Sequence, residues 1–143
     1  MELVSGVDLH FITSKKFKTN RIKMRFSAPM STDTIAGRVL VASMLETANE
    51  IYPTSQIFRE RLATLYGANF STGLSRRGLI HYVDLNISFV SDAFLSRKNT
   101  LTGEILDFLK DSLLKPLANE GAFNQAVFEI EKKNVLNDLK AEI

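Results

Sequence analysis

Cysteine is absent from the 143 residues. No disulfide can staple the chain, and no thiolate can bind a metal or attack a substrate. This agrees with a reducing compartment, and the expected location is the cytoplasm. Histidine is nearly as scarce, with only His10 and His81 present. A catalytic zinc usually takes three protein ligands from His, Cys, Asp and Glu, so a histidine-rich zinc site is hard to assemble from this chain. No apolar run reaches the roughly 18 residues of a membrane-spanning helix, and MELVSGVDLH lacks the basic start and apolar block of a signal peptide. Net charge is only +2, too small by itself to argue for nucleic acid. There is no GxGxxG, P-loop, GxSxG or HExxH motif.

What is present suits one domain with a core: 45% hydrophobic and 24% charged residues. Residues 7–13 and 20–26 alternate in polarity, as half-buried strands do. In the second, Ile22, Met24 and Phe26 form one face and Arg21, Lys23 and Arg25 the other. The basic link SKKFKT suggests a long hairpin between them. Ser31, Thr32 and Asp33 offer cap oxygens to a helix running to about Ile51. Its middle is apolar nearly all round, which predicts burial. Pro53 ends it, and Thr54 and Ser55 start a second helix with Ile57, Phe58, Leu62 and Leu65 on one face. Gly67 sits where a left-handed residue is wanted.

Strands are expected over residues 69–74 and 79–90, joined by Ser75, Arg76, Arg77 and Gly78. In the longer one, Val83, Leu85, Ile87 and Phe89 alternate with Tyr82, Asp84, Asn86 and Ser88. The last third is helical: Leu101, Ile105, Phe108, Leu109 and Leu113 line one face, and Lys115 and Pro116 stop it. Phe123, Val127, Ile130, Val135, Leu139 and Ile143 continue in near-helical steps to the final residue. The order ββααββαα predicts an α+β fold, a mainly antiparallel sheet with helices packed on one face. Residues 1–143 then make up most of one domain, truncated in its last helix.

Each polar cluster has a simple reading. Lys15, Lys16, Lys18, Arg21, Lys23 and Arg25 form a basic hairpin that could hold RNA, but no aromatic platform accompanies it and a solvated strand face explains it. His10 and His81 stand alone, as hydrogen-bonded histidines commonly do. Glu129, Glu131, Asp138 and Glu142 are interspersed with Lys132, Lys133 and Lys140, the pattern of a solvated helix with ion pairs.

Three segments, in order, resemble the inverted zinc-peptidase family that includes pitrilysin, insulin-degrading enzyme and the mitochondrial processing peptidases. SMLETANEIYPT lies without a gap on the family's HMLFKGTKKYPS. IFRERLATLYGANFST is similar to ELEALGGSLNAYT, and LLKPLANEGAFNQAVFEIEKKNVLNDL to LLNPLFDEEEFEKEKEVVLEEI. The family's HxxEH motif sets two zinc-binding histidines and a water-activating glutamate on one helix face. Those positions here are Val39, Ala42 and Ser43, and the family's third ligand falls near Asp138. Valine and alanine offer no lone pair, and a neutral hydroxyl is a poor substitute for imidazole.

The resemblance therefore implies a non-catalytic subunit or domain of a zinc-peptidase-like protein. Such a part completes a peptide-binding chamber with the second half of the protein. It pairs with a catalytic subunit or with a second copy, zinc being expected only in a catalytic partner. Family members add peptide as a strand beside the segment after the second helix. Here that segment is Phe70, Ser71, Thr72, Gly73 and Leu74, which an ordinary edge strand also explains. A zinc endopeptidase with other ligands, and a nucleic-acid binder using the basic hairpin, are the alternatives. No nucleic acid or membrane partner is expected on the leading reading.

Overall fold

The two strongly alternating segments pair with each other. In the computed structural model, which describes residues 1–96 and 100–143, β1 (Glu2–Val4) and β2 (Val7–Asp8) form a small hairpin at the start of the chain. The main sheet contains β3 (Thr19–Pro29), β4 (Asn69–Arg77) and β5 (Ile80–Val90) in the order β3-β5-β4, antiparallel throughout. Helices α1 (Thr32–Thr47) and α2 (Ser55–Thr64) connect β3 to β4. A 3-10 turn at Asp92–Phe94, helix α3 (Leu101–Leu114), a short hairpin of β6 (Ala118–Asn119) and β7 (Ala122–Phe123), and helix α4 (Gln125–Ala141) follow β5.

Register explains the core. Ile22 faces Ile87 and Met24 faces Leu85 across β3 and β5, while Phe70 and Thr72 take the same partners from β4. Side chains alternate along a strand, so these residues share one sheet face. Phe58 of α2, Leu65 at its C-cap, and Leu101, Ile105, Phe108 and Leu109 of α3 bury that face with Phe70, Leu85, Ile87 and Phe89. The rings of Phe58, Phe70 and Phe108 meet at 5.2–5.9 Å between centroids, in tilted and edge-on arrangements that aromatic quadrupoles favour. The fold is α+β with helices on one face of an antiparallel sheet, as expected.

Several local expectations are corrected. The strand over residues 7–13 shrinks to Val7–Asp8, and it folds back on β1 rather than pairing with β3. Gly6, at φ +80°, makes that reversal, and the Met1 ammonium donates to the Leu9 carbonyl at 3.1 Å. β3 instead gives its whole length to β5, whose apolar residues match its own. Helix α1 stops at Thr47, short of Ile51. Asn49 is the physical reason: it is fully buried, and its Oδ1 accepts the Ile51 and Tyr52 amides at 3.0 and 2.8 Å. That Asx turn withdraws those amides from the helix ladder.

Nor is α1 buried all round: Ala42 and Met44 are, but Val41 is exposed. β4 runs on to Arg77, which leaves only Gly78 (φ +57°) and Leu79 for the turn. Phe123 lies in β7, outside the last helix, which is capped by Asn124 through its Oδ1 and the Val127 amide. Along α4, Ile130 and Leu139 are exposed. No helix among the described residues is long and apolar enough to cross a membrane.

Candidate functional site

Helix α1 is anchored at its start by Ser31, whose Oγ accepts the Asp33 amide at 3.3 Å. Asp33 in the first turn suits the helix dipole. From there Val39, Ala42, Ser43 and Glu46 fall at i, i+3, i+4 and i+7, the spacing of one helix face. Ala42 is 1% exposed, and Val39 and Ser43 are half-buried. This face turns toward β4: the Thr72 hydroxyl lies 3.3 Å from the Ala42 carbonyl.

Helix α4 packs against α1. The Thr47 hydroxyl donates to Glu131 Oε1 at 3.0 Å. A cleft of about 540 Å³ opens between α1, the start of α2 and α4, lined by Ser43, Glu46 and Thr47 on one side and Val127, Glu131 and Asn134 on the other. The structure thus brings Ser43 opposite Glu131 and Asn134. Val39, Ala42 and Asp138 do not line the cleft. Asp138 lies two helical turns beyond Glu131 and is exposed.

These residues do not fit a catalytic zinc. Such an ion asks for three lone-pair donors at about 2.0–2.3 Å. Val39 and Ala42 have none, and the Ser43 hydroxyl is neutral. The two carboxylates of the cleft, Glu46 and Glu131, already accept hydrogen bonds from Thr72 and Thr47. Among the described residues no group of three His, Cys, Asp or Glu side chains gathers at one point. His10 is exposed on the irregular segment after β2. His81 is buried on the inner sheet face, where its Nδ1 lies 3.3 Å from Arg38 Nη1.

The segment Phe70, Ser71, Thr72, Gly73 and Leu74 falls inside β4, which among the described residues is paired on one side only. The Thr72 amide donates to Glu46 Oε2 at 2.9 Å, so it points away from β5. Backbone groups alternate in direction along an antiparallel strand, so Phe70 and Leu74 also direct theirs to the open edge. Glu46 Oε2 additionally accepts the Thr72 hydroxyl at 2.6 Å. This pairing is not foreseen from the sequence. Helical spacing places Glu46 on the face of Val39, Ala42 and Ser43, but no local pattern reveals that its partner lies on β4.

The basic face resolves into an ion-paired surface. Arg25 Nε and Nη2 donate to the two Asp84 carboxylate oxygens at 2.7 and 2.8 Å, a bidentate geometry. Lys23 Nζ stands 3.5 Å from the same carboxylate, and Arg25 also stacks on Tyr82, 4.9 Å from the ring centroid. Hydrogen bonding from Arg25 outweighs burial and holds Asp84 below the usual carboxylate range, while the same bond raises Arg25. Arg21 Nε donates to Ser88 Oγ at 3.3 Å. Lys15, Lys16 and Lys18 are exposed on the irregular segment before β3.

The chain is 24% identical over 136 residues to the "Probable inactive metalloprotease YmfF" of Bacillus subtilis (strain 168), covering 95% of this chain and 32% of that protein. A crystal structure of a conserved protein from Enterococcus faecalis V583 matches with a TM-score of 0.87 and 35% identity, over 91% of this chain and 30% of that one. The chain thus spans about a third of the length of each of these relatives. No protein-family model matches it.

Proposed function

We propose that this chain is part of a non-catalytic, zinc-peptidase-like protein that helps form a peptide-binding chamber and pairs with a catalytic partner. The observation that carries the reading is the face of α1. It has the burial and the packing against β4 and α4 that a catalytic helix needs, yet presents Val39, Ala42 and Ser43 where metal donors would stand. The inactive-metalloprotease name of the Bacillus relative supports this at a distance. The edge of β4 supports the peptide-binding half, because backbone hydrogen bonds recognise extended chains with little regard to sequence.

Pairing has its own support. An apolar groove of about 630 Å³ lies between α1 and the β3–β5 face, with Phe26 48% and Val41 37% exposed. Open apolar surface of this kind suits a protein interface, and on this reading the remainder of the longer protein covers it. The ion pairing of Lys23 and Arg25 with Asp84 favours a solvated sheet face over an RNA platform.

The test is hydrolysis by the full-length protein, alone and with any zinc peptidase that co-purifies with it. Chelator-sensitive cleavage of an extended peptide is expected only from the pair. Chelator-sensitive cleavage by the protein alone, abolished by changing residues of this chain, would overturn the reading.

A further inference from the structure

An exposed strand edge is open to added strands only where its outward backbone groups are free. On β4 the central outward donor is engaged. Glu46 Oε2 takes the Thr72 amide at 2.9 Å and the Thr72 hydroxyl at 2.6 Å. Glu46 is presented by α1, itself held against α4 through Thr47 and Glu131 at 3.0 Å, so the carboxylate is placed by packed elements. A charged acceptor makes a stronger hydrogen bond than the neutral carbonyl of a peptide. An incoming strand must pair with Phe70, Thr72 and Leu74, whose backbone groups face the edge, and at its middle residue it meets an occupied amide.

We propose that Glu46 is a built-in competitor for the β4 edge: an intramolecular gate whose carboxylate must swing off Thr72 before an extended peptide can pair there. The inference rests on the peptide-binding reading above. The gate sets a threshold, because an incoming peptide must exchange its own carbonyl for the carboxylate at Thr72. It also repels a peptide carrying a carboxylate beside that point, since two like charges there oppose each other. The same contact keeps the empty edge from pairing with the edge of another molecule, which is a recurrent hazard of open sheets.

The test uses a short uncharged peptide of alternating threonine and valine, blocked at both ends and carrying a neutral fluorophore. Its binding to the full chain is followed by anisotropy for the wild type, Glu46→Ala and Thr72→Val. Removing the carboxylate should tighten binding about tenfold, the weight of one charge-assisted hydrogen bond. Hydrogen exchange at the Thr72 amide should quicken in the free Glu46→Ala protein and slow again when peptide is added. Thr72→Val keeps the carboxylate but removes one of its two donors, so a smaller gain is expected. It carries the test if Glu46→Ala does not fold. Equal binding by all three proteins overturns the gate and leaves the peptide reading standing. No binding by any of them overturns both.

Discussion

Arg25 and Asp84 meet across β3 and β5 in a two-pronged ion pair, 2.7 and 2.8 Å long, on the sheet face away from the core. The pair turns a row of strand cations into a closed surface. Asp84 is buried although it faces outward, because Arg25, Lys23 and Tyr82 surround it.

The pH dependence of stability follows from this pair. Hydrogen bonding from Arg25 holds the Asp84 pKa in the folded chain below the value of about 3.9 of an unfolded chain. A carboxylate with a depressed folded value stabilises fully above its unfolded value, and that contribution fades as pH falls through the folded one. Asp84→Asn should lower stability at neutral pH by about 1–2 kcal/mol, a figure that allows for solvent screening of the half-exposed Arg25. It should also flatten the loss of stability between roughly pH 5 and 2. Urea unfolding across that range, wild type against variant, checks both.

Asn49 holds the end of α1 to the end of α3. Its Oδ1 accepts two backbone amides and its Nδ2 donates to the buried Ser112 Oγ at 3.3 Å. Asn49→Ala should cost about 2–3 kcal/mol, because buried donors and acceptors lose their partners without gaining water. The urea midpoint should fall with an unchanged slope.

Helix α3 is capped from outside its own sequence. Asp92 accepts the Leu101 and Thr102 amides at 2.9 and 3.2 Å and the Thr102 hydroxyl at 2.6 Å, while Thr100 makes no side-chain cap. The Thr102 hydrogen bond is the main cause of a lowered Asp92 pKa. Asp92→Ala should reduce the melting temperature at pH 7 by about 2–4 °C. The difference should shrink in acid, as the wild-type carboxylate protonates. Calorimetry at two pH values reads it.

These contacts also mark where sequence reading stops. The alternation of Val83, Leu85, Ile87 and Phe89 against Asp84, Asn86 and Ser88 is a local period, and the strand and its faces follow from it. The face of Leu101, Ile105, Phe108 and Leu109 is equally local. Choice of partner is not: alternation in residues 20–26 shows a strand, but only the assembled sheet pairs it with β5 instead of β2. The early stop of α1 depends on what Asn49 bonds after folding. Of the site, Val39 and Ala42 are legible as positions without donor atoms, and Ser43 as one with only a neutral hydroxyl. Glu46 on Thr72 and Glu131 on Thr47 were not, since each joins residues at least 26 positions apart.

Installing an HxxEH motif at these positions is a demanding test of the α1 face. Ala42 is 1% exposed and its carbonyl abuts Thr72. The combined change Val39→His, Ala42→Glu, Ser43→His forces bulk and an unpaired carboxylate into that contact. It should destabilise the chain by about 3 kcal/mol or more. It should give no robust peptide hydrolysis in zinc, because Asp138 lies exposed and off the cleft. Unfolding curves and a zinc-supplemented cleavage assay measure the two outcomes.

The most direct measurement is the zinc content of the full-length protein, purified free of other proteins and analysed by plasma mass spectrometry alongside a chelator-controlled cleavage assay. A face of hydrocarbon and one hydroxyl predicts only trace zinc and no chelator-sensitive cleavage. One zinc per chain, lost together with peptide cleavage on chelation and traced to residues of α1 or α4, would contradict the account.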